Sequence, residues 1–145
     1  MKLNSRTRCV LMLVPVFLLP GGCSTAPDKP AMLQGLPECG SLPNCVNTRS
    51  GRGVQAGEPL MATAVQWQTL KSWVARQEDW EVVVDDAYFM QAVVKTPVMR
   101  FRDDVQLLFL PELQLIQVRS SSRLGLSDLG TNARRVETLR DQLAP

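Results

Sequence analysis

The fold is decided by residues 80–120, WEVVVDDAYFMQAVVKTPVMRFRDDVQLLFLPELQLIQVRS. Four runs rich in β-branched and aromatic residues are separated there by short polar or proline-bearing breaks. The runs cover residues 80–85, 88–96, 99–110 and 113–120, and the breaks contain Asp85-Asp86, Pro97 and Pro111-Glu112. Runs of this composition, joined by breaks this short, are typical of consecutive antiparallel strands. The sequence therefore predicts a four-stranded antiparallel meander.

A helical pattern lies on each side of the predicted strands. Before them, Pro59 suits the first turn of a helix, and apolar residues recur at three- and four-residue intervals as far as Val74. After them, residues 132–143 form a second pattern, with the apolar stripe Val136, Leu139 and Leu143. Its arginines, which we expect to point outward or sideways, are Arg134, Arg135 and Arg140. The order predicts an α+β fold in which both helices lie on one face of the sheet.

The composition excludes several familiar kinds of site. The 145 residues are 45% hydrophobic and 21% charged, as in a folded domain rather than a disordered chain. Histidine is absent from the chain. This excludes a Ser-His-Asp triad, a Cys-His pair and an imidazole metal site. We therefore expect no metal site and no cofactor.

The N-terminal segment has the pattern of a secretory signal. An apolar run covers residues 9–20 and is preceded by the cations Lys2, Arg6 and Arg8. The run is shorter than the roughly 20 residues that a membrane-spanning helix needs. A basic start, a short apolar middle and small residues after it are typical of a signal peptide.

The small residues lead to a cysteine. Residues 19–23, LPGGC, resemble a bacterial lipobox with Pro20 in place of the usual leucine, and the cysteine of a lipobox is acylated and becomes the mature N-terminus. We expect a lipoprotein signal peptide over residues 1–22, a lipid on Cys23 and a tether over residues 23–35. The serine after the cysteine implies, by the same resemblance, an outer-membrane anchor facing the periplasm. The alternative is an ordinary cleaved signal with a cysteine nearby.

Removal of the signal changes the charge of the chain. Without Lys2, Arg6 and Arg8, the 16 cations fall to 13 against 14 anions, and the net charge changes from +2 to −1. Nucleic acid is therefore not expected as a partner, because phosphate binding needs a strong basic patch. We expect the membrane as a partner through the lipid, and an envelope protein or a small anionic ligand as a further one.

Two cysteines, Cys39 and Cys45, remain after the expected lipid site. An exported chain meets an oxidising compartment, so we expect a disulfide between them. A metal site would need further ligands, and a catalytic thiol would need a nearby activating base. We expect the disulfide to pin an irregular segment over residues 31–58.

The densest polar stretch is RSSSRLGLSDLGTN, residues 119–132, between the last predicted strand and the last helix. Backbone amides and hydroxyls converge where such a loop enters a helix, and they often bind anions. The structural alternative is that Ser127, Asp128 or Thr131 caps the helix while the glycines permit turns. Both roles are compatible.

The register of the predicted strands suggests an ion pair. If the Pro111-Glu112 turn is central, Asp104 lies opposite Arg119, and we predict that the two form a cross-strand ion pair extended through Arg123 and Asp128. The candidate binding or structural cluster comprises Asp103, Asp104, Arg119, Ser120, Ser122, Arg123, Ser127, Asp128, Asn132 and Arg134.

Three stretches resemble the domain of unknown function 1499 family: PNCV at residues 43–46, FRDDV at 101–105, and residues 119–132. Members of this family are often predicted bacterial lipoproteins. The resemblance implies a single domain over residues 36–145. It implies no reaction, substrate or cofactor.

Two classes of function follow from these residues. We expect a lipid-anchored cell-envelope protein that acts as a binding or structural module. The alternative is a hydrolase-type enzyme, in which Asp and Ser residues act with or without a cation. Asp103 and Asp104 are adjacent on a strand and should point to opposite faces, so they are not expected to converge. A serine nucleophile would also lack a histidine base. We therefore expect no catalytic residue.

Overall fold

The computed structural model describes residues 34–49 and 56–144. Six strands there form one antiparallel sheet, flanked by two helices. The strands are β1 (Cys45–Asn47), β2 (Leu60–Met61), β3 (Trp80–Asp85), β4 (Phe89–Lys95), β5 (Arg102–Leu110) and β6 (Leu115–Ser122), and the helices are α1 (Ala64–Val74) and α2 (Thr131–Asp141). The predicted signal peptide, Cys23 and most of the tether lie outside the described residues. Within these residues, no helix has the length and apolar character needed to cross a membrane.

The α+β class is confirmed, and the predicted meander is present as β3, β4, β5 and β6. The prediction of four strands is wrong, because the sheet has six. Both additional strands pair with β6: β1 at its Ser120-Ser121 end and β2 at its Leu115-Ile116 end. Strands of two or three residues have too little periodicity to be seen in a sequence. They form because β6 would otherwise leave unpaired backbone groups at the edge of the sheet.

Helix α1 begins at Ala64, later than the predicted start at Pro59. The side chain of Thr63 accepts a hydrogen bond from the amide of Gln66 at 3.3 Å, and the Gln66 side chain accepts one from the amide of Thr63 at 2.9 Å. This reciprocal capping box satisfies two amides that would otherwise be free, and it therefore sets the helix start. Leu60 is consequently available to pair with Ile116 in β2.

One face of the sheet carries most of the hydrophobic core. Val105, Leu107 and Phe109 of β5 form a hydrophobic cluster that includes buried residues of both helices, and we call this face of the sheet the core face. Trp67 of α1 stacks on Phe109 with ring centroids 5.8 Å apart. The residues that alternate with them, beginning with Asp104, point to the opposite face. A smaller cluster comprises Leu36, Phe89 and Leu108.

The predicted register of β5 and β6 is wrong by two positions. Asp104 pairs with Ser121, whereas Arg119 pairs with Gln106. The connection contains a 3₁₀ turn, Pro111–Leu113, followed by Gln114 in a left-handed conformation with φ 48°. This connection is longer than the predicted two-residue turn, so Leu110 pairs with Leu115. An even shift preserves which face each side chain occupies but changes its partner.

The predicted disulfide between Cys39 and Cys45 is confirmed. It links the irregular chain that follows Leu36 to β1. The prediction that residues 31–58 are irregular throughout is wrong at β1, whose backbone pairs with β6. Just beyond β1, the hydroxyl of Thr48 accepts a hydrogen bond from the amide of Val118 at 2.8 Å. The disulfide-bonded segment is therefore part of the sheet edge.

Candidate functional site

A buried ion pair joins α2 to the core face of the sheet. The guanidinium of Arg135 donates to Asp103 Oδ2 at 2.7 Å, and the two side chains are 8% and 2% exposed. The same guanidinium donates to Ser120 Oγ at 2.8 Å. A buried ion pair is tolerated when the charges are well aligned and further hydrogen bonds satisfy the remaining donors. The arrangement at Asp103 and Arg135 meets these conditions.

Asn132 connects this ion pair to the chain that enters β1. Its side-chain oxygen accepts from Ser120 Oγ and from Arg135 Nη1, each at 2.6 Å. Its Nδ2 donates to the carbonyl oxygen of Asn44 at 2.9 Å and to Ser122 Oγ at 3.1 Å. A fully buried asparagine is suited to this position because its amide offers both an acceptor and two donors. One side chain thus links α2, β6 and the segment before β1.

Asp104 forms a second ion pair on the opposite face. Arg123 donates from Nε to Oδ2 at 2.9 Å and from Nη2 to Oδ1 at 2.7 Å, a bidentate geometry. The hydrogen bond to Asp104 raises the pKa of Arg123 above its ordinary value. The Arg123 side chain is 22% exposed and that of Asp104 is 4% exposed. This pair is therefore in contact with solvent on its arginine side.

The predicted ion pair between Asp104 and Arg119 is wrong. The register places Arg119 beside Gln106, and its guanidinium donates to Ser121 Oγ at 2.9 Å. Burial lowers the pKa of Arg119, and the charge of Asp104 only partly opposes this effect. Arg119 therefore belongs to the polar residues of the opposite face and lies away from the network around Arg135.

Asp128 holds the start of α2. Its carboxylate accepts from the amide of Gly130 at 3.0 Å and from the amide of Asn132 at 2.9 Å. Burial would raise the pKa of Asp128, but these amide hydrogen bonds outweigh it, and the pKa lies below its ordinary value. Ser127 Oγ accepts from the amide of Leu129 at 3.3 Å. Asp128 and Ser127 thus have the structural role that was one of the two alternatives for this loop.

Two neighbouring arginines of α2 have opposite environments. Arg134 is exposed and donates to the carbonyl oxygen of Leu129 and to Thr131 Oγ1, each at 3.1 Å. Arg135, which we expected to point outward or sideways, is buried in the network, so that expectation is wrong. Asn132 and Arg135 are three residues apart and therefore share one helix face. This spacing was the signal in the sequence that could have identified Arg135.

A cleft of about 540 Å³ opens beside the network. Its walls are the loop between β4 and β5, residues 96–101, and the loop between β6 and α2, residues 123–130. The buried side chains of Asp103 and Arg135 lie in its lining, and we call this part the polar floor. Exposed apolar side chains also line it, and we call them the apolar rim: Val98, Met99, Phe101, Leu124 and Leu129.

The acidic residues and serines of the site are held by other groups. Asp103 and Asp104 point to opposite faces, and each binds a different arginine. The hydroxyl of Ser120 donates to Asn132 and accepts from Arg135, neither of which can act as its base. In the two described parts of the chain, no three residues among the cysteines and carboxylates are placed to hold a metal ion. These side chains join α2 and the loop before it to β5 and β6.

The three stretches that carried the family resemblance meet at this site. The amide of Ser122 donates to the carbonyl oxygen of Asn44 at 2.9 Å, and the amide of Arg123 donates to that of Arg102 at 3.2 Å. No match was found among curated proteins or among solved structures. The model of a family described as "Protein of unknown function (DUF1499)" matches residues 35–143, which include every strand and both helices. The chain therefore belongs to the DUF1499 family.

Proposed function

We propose that the chain is a lipid-anchored cell-envelope protein whose domain binds a ligand in the cleft between residues 96–101 and 123–130. The observation that carries this proposal is the cleft itself, in which a hydrogen-bonded polar floor lies below an exposed apolar rim. Contiguous exposed apolar side chains are uncommon on soluble domains and mark binding surfaces. A concave site with a few fixed polar groups is the usual form of a ligand pocket.

The cleft is a better ligand site than the arginines of the polar stretch. Arg123 is occupied by its bidentate bond to Asp104, and Arg119 lies on the opposite face of the sheet. The polar floor has a structural role as well, because Arg135 and Asn132 connect α2 to the sheet. Binding is therefore best tested at the apolar rim, where a side chain can be changed without disturbing the network.

The cleft can be tested with a photoreactive amino acid in the full chain. We expect benzoylphenylalanine at Leu124 to form an adduct of defined mass after irradiation in the native envelope. The matched control is Val65, which is 76% exposed on α1 and does not line the cleft. The substitution Val98→Asp, on the facing loop, should reduce the adduct at Leu124 while leaving the melting temperature unchanged. Equal labelling at Leu124 and Val65 would contradict the proposal.

The anchor is supported by the basic start, the short apolar run and the LPGGC stretch at residues 19–23. Cells fed with an alkyne analogue of palmitate should label the native chain and should not label the Cys23→Ser variant. Cys9→Ser is the matched control, because Cys9 lies within the expected signal peptide and its replacement should leave labelling intact. Labelling of Cys23→Ser at the native level would show that this cysteine is not the anchor.

A further inference from the structure

Exposed apolar side chains are concentrated at one end of the sheet. In the described part of the chain, half of the exposed large hydrophobic side chains belong to the two loops that form the cleft. They are Val98 (89% exposed), Met99 (66%), Phe101 (39%), Leu124 (53%), Leu126 (78%) and Leu129 (85%). Side chains this exposed can bind an apolar partner without any change in backbone conformation.

The loop between β4 and β5 is held in one shape. The amide of Phe101 donates to Thr96 Oγ1 at 2.9 Å, and the amide of Arg100 donates to the carbonyl oxygen of Thr96 at 3.0 Å. Arg100 itself is left-handed, with φ 50°. A non-glycine residue rarely adopts this conformation unless its surroundings impose it. These hydrogen bonds therefore fix the turn that exposes Val98 and Met99 at its tip.

Hydrogen bonds also fix the conformation of the loop between β6 and α2. Leu129 is left-handed, with φ 51°, and its carbonyl oxygen accepts from Arg134 Nη1 at 3.1 Å. Asp128 holds the amides that follow. Leu126 and Leu129 are thus exposed on a loop whose ends are tied to α2 and β6.

The charges at this end of the sheet have an excess of exposed cations. Arg100 and Arg134 are exposed, and neither forms an ion pair with an acidic side chain in the described residues. Three acids at this end of the sheet are already engaged: Asp103 by Arg135, Asp104 by Arg123, and Asp128 by backbone amides. Asp79 is an exposed carboxylate that lines the cleft, and the two arginines outnumber it. The surface around the apolar rim therefore complements negative charge.

We propose that this end of the domain docks on an anionic phospholipid membrane and that the cleft receives a phospholipid headgroup. This inference rests on the proposed function and names the ligand class of the same cleft. The exposed apolar side chains would enter the interface, and Arg100 and Arg134 would lie at the lipid phosphates. The hydrogen-bonded pair of Asp103 and Arg135 offers polar groups to a headgroup, and Trp80 and Val94 line the cleft with them.

The docking can be tested by measuring how deep each loop lies in a membrane. An environment-sensitive fluorescent amino acid is introduced at Leu126, at Val98 and, as a control, at Val65 of the full chain. The chain is combined with vesicles of phosphatidylcholine and phosphatidylglycerol that contain nitroxide-labelled acyl chains. We expect a blue shift and several-fold stronger quenching at Leu126 and Val98 than at Val65. Quenching at Leu126 no stronger than at Val65 would overturn the inference.

The electrostatic part is tested by reversing charge. Arg100→Glu combined with Arg134→Glu should abolish the quenching that depends on phosphatidylglycerol. Arg76→Glu is the control, because Arg76 is exposed beyond the end of α1 and does not line the cleft. Equal quenching in vesicles of phosphatidylcholine alone, with no effect of charge reversal, would overturn the requirement for anionic lipid.

The two proposals fail in distinguishable ways. A photoadduct at Leu124 that contains a protein or a water-soluble compound, without lipid quenching at Leu126, would overturn docking on lipid and support the cleft as a ligand site. A phospholipid adduct together with quenching would support both proposals. The absence of both an adduct and quenching would overturn both.

Discussion

Asp103 and Asp104 are neighbours with the same chemistry, and they form ion pairs of different kinds. Asp103 lies on the core face and binds Arg135, and both side chains are almost fully buried. Asp104 lies on the opposite face and binds Arg123, which is partly exposed to solvent. The alternation of side chains along a strand separates the two aspartates. The two pairs differ mainly in how much solvent reaches the arginine.

This difference has a physical cause. A carboxylate whose partner is removed must become hydrated, become protonated or remain as an unpaired charge in a low-dielectric site. At Asp103, the partner Arg135 is buried and is held in place by Ser120 and Asn132. At Asp104, the position of Arg123 already borders solvent. The same deletion should therefore have unequal consequences on the two faces.

The largest effect is expected for Arg135→Met. The substitution leaves Asp103 buried without its partner, and removal of one member of a buried ion pair costs about 3–5 kcal/mol. We expect the free energy of unfolding, measured by chemical denaturation, to fall by an amount in this range. The double variant Arg135→Met/Asp103→Asn should recover part of the loss. A loss no larger than that of the matched Arg123→Met variant would contradict the expectation that the two ion pairs contribute unequally to stability.

A smaller effect is expected for Arg123→Met. The side chain of Asp104 is 4% exposed, but water can take the place of the guanidinium, because Arg123 is itself 22% exposed. Loss of hydrogen bonds to a charged group then lowers the free energy of unfolding by about 1.5–3 kcal/mol. The same denaturation experiment measures it. Stability as low as that of Arg135→Met would mean that Asp104 is no better solvated than Asp103.

Asp128→Asn tests a carboxylate that is held by backbone amides instead of an arginine. At neutral pH we expect a loss of about 1 kcal/mol, the usual size of a lost helix-capping interaction. The pKa of Asp128 is lowered in the folded state, so its contribution is complete above the unfolded value of about 3.9 and is lost as the pH falls through the folded value. The stability curves of the two proteins should converge in acid. Parallel curves would show that Asp128 has no such role.

The smallest effect is expected for Glu137→Gln. Glu137 accepts from Arg140 Nε at 3.1 Å on the surface of α2, and its side chain is 63% exposed. An exposed pair at this spacing contributes roughly 0–0.5 kcal/mol. We expect a change within that range, and added salt should reduce it further. A loss comparable with that of Arg123→Met would mean that solvent exposure does not determine how much each ion pair contributes to the free energy of unfolding.

Much of the site could be predicted from residue type and position. Ser120, Ser122 and Asn132 were candidates because they lie in the polar stretch at residues 119–132, and Asp103 was one because it lies in the FRDDV stretch at residues 101–105. The structure brings these four residues into one region. Arg134, in the predicted helix just after the polar stretch, was also a candidate, but it faces solvent. The choice between Arg134 and Arg135 depends on which side of α2 packs on the sheet. Arg135 is three residues after Asn132 and four before Leu139, so it shares the packed face.

The sequence by itself determined the α+β class, the meander of β3–β6, the disulfide of Cys39 with Cys45, and the family. These depend on patterns within short segments or on pairs of residues close in the chain. Only the tertiary structure decided that Asp104 binds Arg123, that β1 and β2 complete the sheet, and that two distant loops enclose a cleft. A shift of two residues in register is enough to change the partner of every charged side chain on a strand. Contacts between segments far apart in the chain leave no periodic signal in either one.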